Sequence, residues 1–110
     1  MGEVGTTKLF EDDRIILWEF VLEPGEQTPC HTHLHDYLFY VLEGSRLEVL
    51  DRDGEPLPSF EARTGDVFSL KCDGDELVST DEKRLRVPAA HSARNAGAGR
   101  YREILIEKKS

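Results

Sequence analysis

Turn signals recur about every 8–12 residues along this chain, and the apolar runs between them are short. Glu23-Pro24-Gly25, Gly44-Ser45, Asp51-Arg52-Asp53-Gly54, Gly65-Asp66 and Cys72-Asp73-Gly74-Asp75 each interrupt an apolar or alternating run. Glycine, proline and aspartate in such clusters favour turn conformations over continuation of a helix or strand. No stretch keeps a 3.6-residue apolar period over three helical turns. A chain so divided is expected to be all-β, a sandwich or a barrel.

The runs themselves read as strands. Residues 14–22 are rich in Ile, Leu, Trp, Phe and Val, and residues 37–43 are aromatic and branched. Residues 46–50 alternate, and with 37–43 they are expected to form a hairpin about Gly44-Ser45. Pro56 and Pro58 demote the next stretch to a loop or an edge. Further strands are expected at 60–63, 67–70, 76–79, 85–87 and 101–107, in two halves, one around 20–50 and one around 60–107.

The 110 residues are expected to form a single domain, 1–110. A chain of this size buries roughly 60% of its unfolded surface, enough for a core without disulfides. The net charge of −8 argues against nucleic acid, which needs clustered Lys and Arg. The longest apolar run, Ile15-Ile16-Leu17-Trp18, is far too short to cross a bilayer, and Met1-Gly2-Glu3-Val4-Gly5 lacks the basic start of a signal peptide. Cys30 and Cys72 are not spaced as a metal motif or a disulfide framework. They read as reduced thiols of a cytoplasmic protein.

Three of the four histidines then acquire a geometry. On a strand, residues i and i+2 share a face, so His31 and His33 lie side by side. Two imidazoles so placed can converge on one ion at about 2.1 Å, and His91, on a later strand, is available as a third ligand.

The surroundings of these histidines resemble the two motifs of the cupin superfamily. Gly25-x5-His31-x-His33-x3-Tyr37-x6-Gly44 resembles the first, and Pro88-Ala89-Ala90-His91-Ser92-Ala93-Arg94-Asn95 the second. In the second the His-x3-Asn half is intact, whereas the Pro-to-His spacing is shorter and the inner glycine is missing. Gly65-Asp66 looks like the Gly-Asp that opens the second motif, and the longer stretch from there to Pro88 fits an inserted hairpin around Cys72-Asp73-Gly74-Asp75. The resemblance covers about residues 15–107. It implies a double-stranded β-helix, a small jelly-roll barrel, with a metal held inside by His31, His33 and His91. It also implies a homodimer, with the strand at Ile15–Leu22 as a candidate for the pairing.

The departure is at the family's glutamate, where this chain has Tyr37. Asp36 does not replace it, because one step along a strand turns a side chain to the other face. Two readings follow. In one, three neutral histidines hold the metal and leave open positions, as in diketone-cleaving and thiol-oxidising cupins. In the other, Tyr37 is a catalytic residue, a phenolate or hydrogen-bonding group beside the metal, as in cupin lyases that act on dimethylsulfoniopropionate. A divalent ion on three neutral ligands keeps its full charge and favours an anionic, chelating small-molecule substrate. The implied cofactor is a divalent transition metal, Fe2+ first, then Zn2+, Ni2+ or Mn2+. The implied activity is that of a dioxygenase, lyase or isomerase on a small organic acid. The alternative is a non-catalytic binding module with a vestigial or structural site. Plainer roles are open for single residues: His35 toward solvent or the rim, Trp18, Phe20, Phe39 and Tyr40 in the core or a subunit interface, Asn95 bonded to a loop, and Arg46, Arg86 and Arg94 solvated.

Overall fold

The computed structural model of the chain describes residues 5–81 and 85–109; the N-terminal residues 1–4, and with them most of the leader reading, lie outside it. Eleven strands are described: β1 (Thr7–Glu11), β2 (Ile15–Leu22), β3 (His31–Thr32), β4 (Asp36–Glu43), β5 (Ser45–Leu50), β6 (Phe60–Ala62), β7 (Val67–Asp73), β8 (Glu76–Ser79), β9 (Arg86–Pro88), β10 (Ala90–Asn95) and β11 (Tyr101–Lys108). They form a seven-stranded sheet, β1-β2-β11-β4-β7-β8-β9, facing a four-stranded sheet, β3-β10-β5-β6. All the pairings are antiparallel. This is the expected jelly-roll barrel.

The barrel interior follows from strand alternation. In β2 the inward residues are Trp18, Phe20 and Leu22; in β4 they are Tyr37, Phe39 and Val41; in β11 they are Tyr101, Glu103, Leu105 and Glu107. Register stacks these residues in rows across the sheet. Trp18, Leu105, Phe39 and Phe68 make one row, and Phe20, Glu103 and Val41 make the next. Aromatic contacts join the two sheets: Phe60 on β6 meets Phe68 on β7 edge-on at 5.5 Å, and Phe68 stacks on Phe39 at 4.9 Å.

Several expectations are corrected. Residues 37–43 and 46–50 do not form a hairpin: β4 pairs with β11 and β7, whereas β5 pairs with β10 and β6. Only Gly44 separates β4 from β5, too little chain for a two-residue hairpin turn. Gly44 instead lets the backbone cross to the other sheet. A Cβ there would lie 2.4 Å from the Ala62 carbonyl oxygen and 2.7 Å from the Thr64 nitrogen. Nor are there two separate halves, because β11 lies between β2 and β4. Strand β1, outside the expected set, pairs with β2, so the large sheet ends at β1 and not at Ile15–Leu22. Tyr40 is 45% exposed on the outer face and is not core. The inserted hairpin is present as β7–β8. Gly74, at φ 66°, supplies the positive φ of its two-residue turn.

Candidate metal centre

Strands β3 and β10 pair so that His31 lies directly opposite His91, and the His33 amide donates to the Ala89 carbonyl one step further on. The short ladder therefore places all three imidazoles on the inward face. Their ring centroids form a nearly equilateral triangle, 4.8 Å from His31 to His33, 4.8 Å from His31 to His91 and 4.9 Å from His33 to His91. All three residues are buried.

Two of the rings are fixed by backbone carbonyls. His31 Nδ1 lies 3.1 Å from the Pro29 oxygen, and His91 Nδ1 lies 2.6 Å from the Pro88 oxygen. A carbonyl oxygen only accepts, so Nδ1 carries the proton in both rings and Nε2 keeps its lone pair. That is the orientation of metal-binding histidines held by outer hydrogen bonds. Burial, followed by the neighbouring imidazoles, lowers the His31 pKa to about 4 and that of His33 to about 2; burial lowers that of His91 as well. All three rings are thus neutral near pH 7, the state that coordinates a cation.

The residues present fit a divalent transition ion. One ligand nitrogen from each histidine falls within 4.8 Å of the others. Ligands at about 2.1 Å from one ion require separations of roughly 3–3.5 Å, a closure that small side-chain rotations within a rotamer well supply. His33 Nδ1 is buried without a hydrogen-bond partner, an orphaned nitrogen on one of the three clustered rings.

Tyr37 stacks on His33 at a centroid separation of 4.2 Å and lines the same cavity. Its phenol pKa is pushed well above 10, first by burial and then by Glu103, Cys72 and Glu107. Asp36 points away from the interior, where its carboxylate accepts the Cys72 amide at 2.8 Å. His35 is half-buried and stands apart from the three clustered histidines. Cys30 and Cys72 are free thiols. Asn95 does bond loops: its Nδ2 donates to the Leu22 and Gly99 carbonyls, and its Oδ1 accepts from Ser45 Oγ and the Gly97 amide. Arg46, Arg86 and Arg94 pair outside the barrel with Glu61, Glu76 and Glu48.

The cavity under the histidines has a volume of about 60 Å³, with mainly apolar walls. One lining residue escaped the sequence reading. Glu103 sits inside the barrel, accepts the Tyr101 hydroxyl, and has its pKa pushed up to about 8 by burial, against the opposing effect of that hydrogen bond. Its strand reads Tyr-Arg-Glu-Ile-Leu-Ile-Glu, and the consecutive Ile104-Leu105-Ile106 hides which face is inward. The signal available was the Tyr101–Leu105 phase.

The profile of the cupin domain matches residues 18–105. The chain belongs to the cupin family. Among solved structures, this cupin is similar to a cupin domain protein from Bordetella pertussis Tohama I, with 17% identity, a TM-score of 0.70, and coverage of 94% of this chain and 91% of that one. It is also similar to an RmlC-like cupin with a double-stranded β-helix fold from Methanocaldococcus jannaschii, with 16% identity, a TM-score of 0.57, and coverage of 92% and 75%. A third is the polyketide cyclase RemF from Streptomyces resistomycificus, with 21% identity, a TM-score of 0.57, and coverage of 94% of this chain and 63% of RemF. At these identities the likeness is one of fold. No curated protein matches the sequence. No helix among the described residues is long and apolar enough to cross a membrane.

Proposed function

We propose that this cupin is a small metal-dependent enzyme, of dioxygenase, lyase or isomerase type, acting on a small anionic organic substrate. The observation that carries this reading is the buried triangle of neutral imidazoles, with the Nδ1 atoms of His31 and His91 engaged by carbonyls. His31, His33 and His91 hold the ion; Fe2+ is favoured, with Zn2+, Ni2+ and Mn2+ as the other candidates. When bound, the ion supplies an undiminished double positive charge with open coordination positions, as a Lewis acid or a redox centre. The chain does the rest. The apolar walls lower the local dielectric, which strengthens the attraction for an anion. Tyr37, neutral and stacked on His33, holds a proton on its hydroxyl inside the cavity, where it serves as a hydrogen-bond or proton donor to substrate. RemF, named a cyclase, supports the view that this barrel carries catalysis.

The outer face of the large sheet supports pairing of two copies. Leu17, Ile106 and Leu38 form one cross-strand row, and Ile104, Tyr40 and Val67 form the next. Tyr40 and Val67 are exposed, so a homodimer would cover an apolar patch. The free thiols suit a reducing, cytoplasmic setting.

The test is metal analysis of protein purified from metal-replete cultures, followed by turnover assays on a panel of small organic acids with and without oxygen. About one equivalent of a transition metal is expected, and His33→Ala should lose metal and turnover together. A wild-type metal content far below one equivalent overturns the enzyme reading.

A further inference from the structure

The barrel holds a buried carboxyl that metal coordination does not use. Glu103 is 4% exposed, and it lines the same cavity as the histidines. Its cross-strand neighbours are Phe20 and Val41, both apolar. Oε1 accepts from the hydroxyl of Tyr101, itself fully buried and braced edge-on against Phe20 at 6.0 Å. No other hydrogen bond and no ion pair reaches the Glu103 carboxyl among the described residues. The basic side chains whose ion pairs are described pair with other acids. A carboxyl without a cation in apolar surroundings is costly unless it stays protonated or finds a partner.

The register places this group at a definite depth. Tyr37 lies opposite Glu107, Phe39 opposite Leu105, and Val41 opposite Glu103. The layer of Phe39, Leu105 and Trp18 therefore separates the level of Tyr37, which stacks on His33, from the level of Glu103. Beside the histidines, the polar side chains lining the cavity are Tyr37 and Glu103, and the remaining walls are apolar. A small molecule whose charged end faces the histidines thus meets the Glu103 carboxyl at its other end.

We propose that Glu103 is the distal recognition residue of this cavity. Its second carboxyl oxygen hydrogen-bonds a carbonyl or hydroxyl on a small monoanionic acid whose carboxylate or enolate faces the histidines. Tyr101 positions it. The raised pKa of Glu103 agrees with this pairing, since an uncharged acid can donate to an oxygen. A second carboxylate at that end is excluded by the cost of burying an unpaired charge. Sites built around a buried hydrogen bond reject analogues that lack the matching group far more strongly than apolar pockets do. The inference rests on the metal-site reading above and narrows its substrate class to oxo and hydroxy acids.

The test uses the full chain loaded with Zn2+, whose stoichiometry is measured first. Binding of butyrate against acetoacetate, and of valerate against levulinate, is read by calorimetry, with succinate as the dianionic control. The Glu103 carboxyl is followed in parallel by carbon NMR, its signal assigned by its loss in Glu103→Gln. The oxo acids are expected to bind at least tenfold tighter than their deoxygenated partners and than succinate, and to move the Glu103 signal. Glu103→Leu should reduce that ratio below twofold while leaving zinc stoichiometry unchanged. Glu103→Gln, which keeps a donor, should retain most of it. Absent zinc binding, the metal reading fails and this inference with it. With zinc bound, the inference alone fails if none of the acids binds, if the ratio is already small in the wild type, or if the Glu103 signal stays fixed at saturation. It also fails if folded Glu103→Leu keeps the ratio. Should Glu103→Leu not fold, the wild-type NMR titration decides.

Discussion

His33 lies nearly flat against Tyr37, with ring centroids 4.2 Å apart and planes 14° from parallel. His31 and His91 are steered by backbone carbonyls, but His33 has no such bond and is oriented by this stack. Tyr37 therefore supports the His33 ring through packing. Tyr37→Phe keeps the ring, so metal affinity should change less than threefold while any proton transfer by the hydroxyl is lost. Tyr37→Ala should weaken metal binding by about tenfold to a hundredfold, the range for loss of a group that orients a ligand. Competition against a chelator measures both.

The metal-free protein should show opposed pH effects. The buried histidines have folded pKa values below the ordinary 6.5, about 4 for His31 and about 2 for His33. Below pH 6.5 the unfolded chain takes up protons that the folded chain refuses, so stability falls as pH drops. Glu103 acts in the other direction. Its folded pKa, about 8, lies above the ordinary 4.5, so the folded chain keeps a proton the unfolded chain has lost, and stability declines as pH rises through that window. Between pH 6.5 and 8 only the Glu103 slope of these persists. Urea midpoints should fall across that interval in the wild type and stay level in Glu103→Gln.

Asn95 is fully buried and uses all four of its hydrogen-bonding positions, tying the end of β2, the β10–β11 turn and the start of β5 together. Asn95→Ala should destabilise by about 2–4 kcal/mol, because buried carbonyls and a hydroxyl lose their partner. Asn95→Asp should be worse, since its carboxylate would face the Leu22 and Gly99 carbonyl oxygens. Thermal melts rank the three proteins.

Gly44 and Gly99 make a matched pair. A Cβ at Gly44 would press into the backbone of residues 62–64, whereas one at Gly99 would meet nothing within 4 Å. Gly44→Ala should cost roughly 1–3 kcal/mol, as overpacking does, and Gly99→Ala should be close to neutral. Denaturant midpoints give the comparison.

Much of this was written locally. The turn residues, the short apolar runs and the i, i+2 histidines are nearest-neighbour signals, and the structure has the expected strands and brings His31, His33 and His91 together. What failed was pairing. Gly44 looks like a hairpin turn until Ala62 and Thr64 come against it, and those contacts lie far along the chain. Glu103 was hidden for a similar reason: an acid between Arg102 and Ile104 reads as the solvent face of a strand. Only the register with Phe20 and Val41 reveals that it is inside.

The place of β11, last of the described strands in sequence yet flanked by β2 and β4, also bears on how the protein comes into being. In a chain made from its N-terminal end, all three histidines precede the strand that closes the large sheet. Strands β2 and β4 pair with β1 and β7 on one side, but each keeps its other edge open until β11 is made, a long-range topology that folds slowly. Until β11 arrives there is no enclosed cavity. The imidazoles are still in water, free to take protons or stray ions, and the maturing chain acquires its selectivity only once β11 is in place.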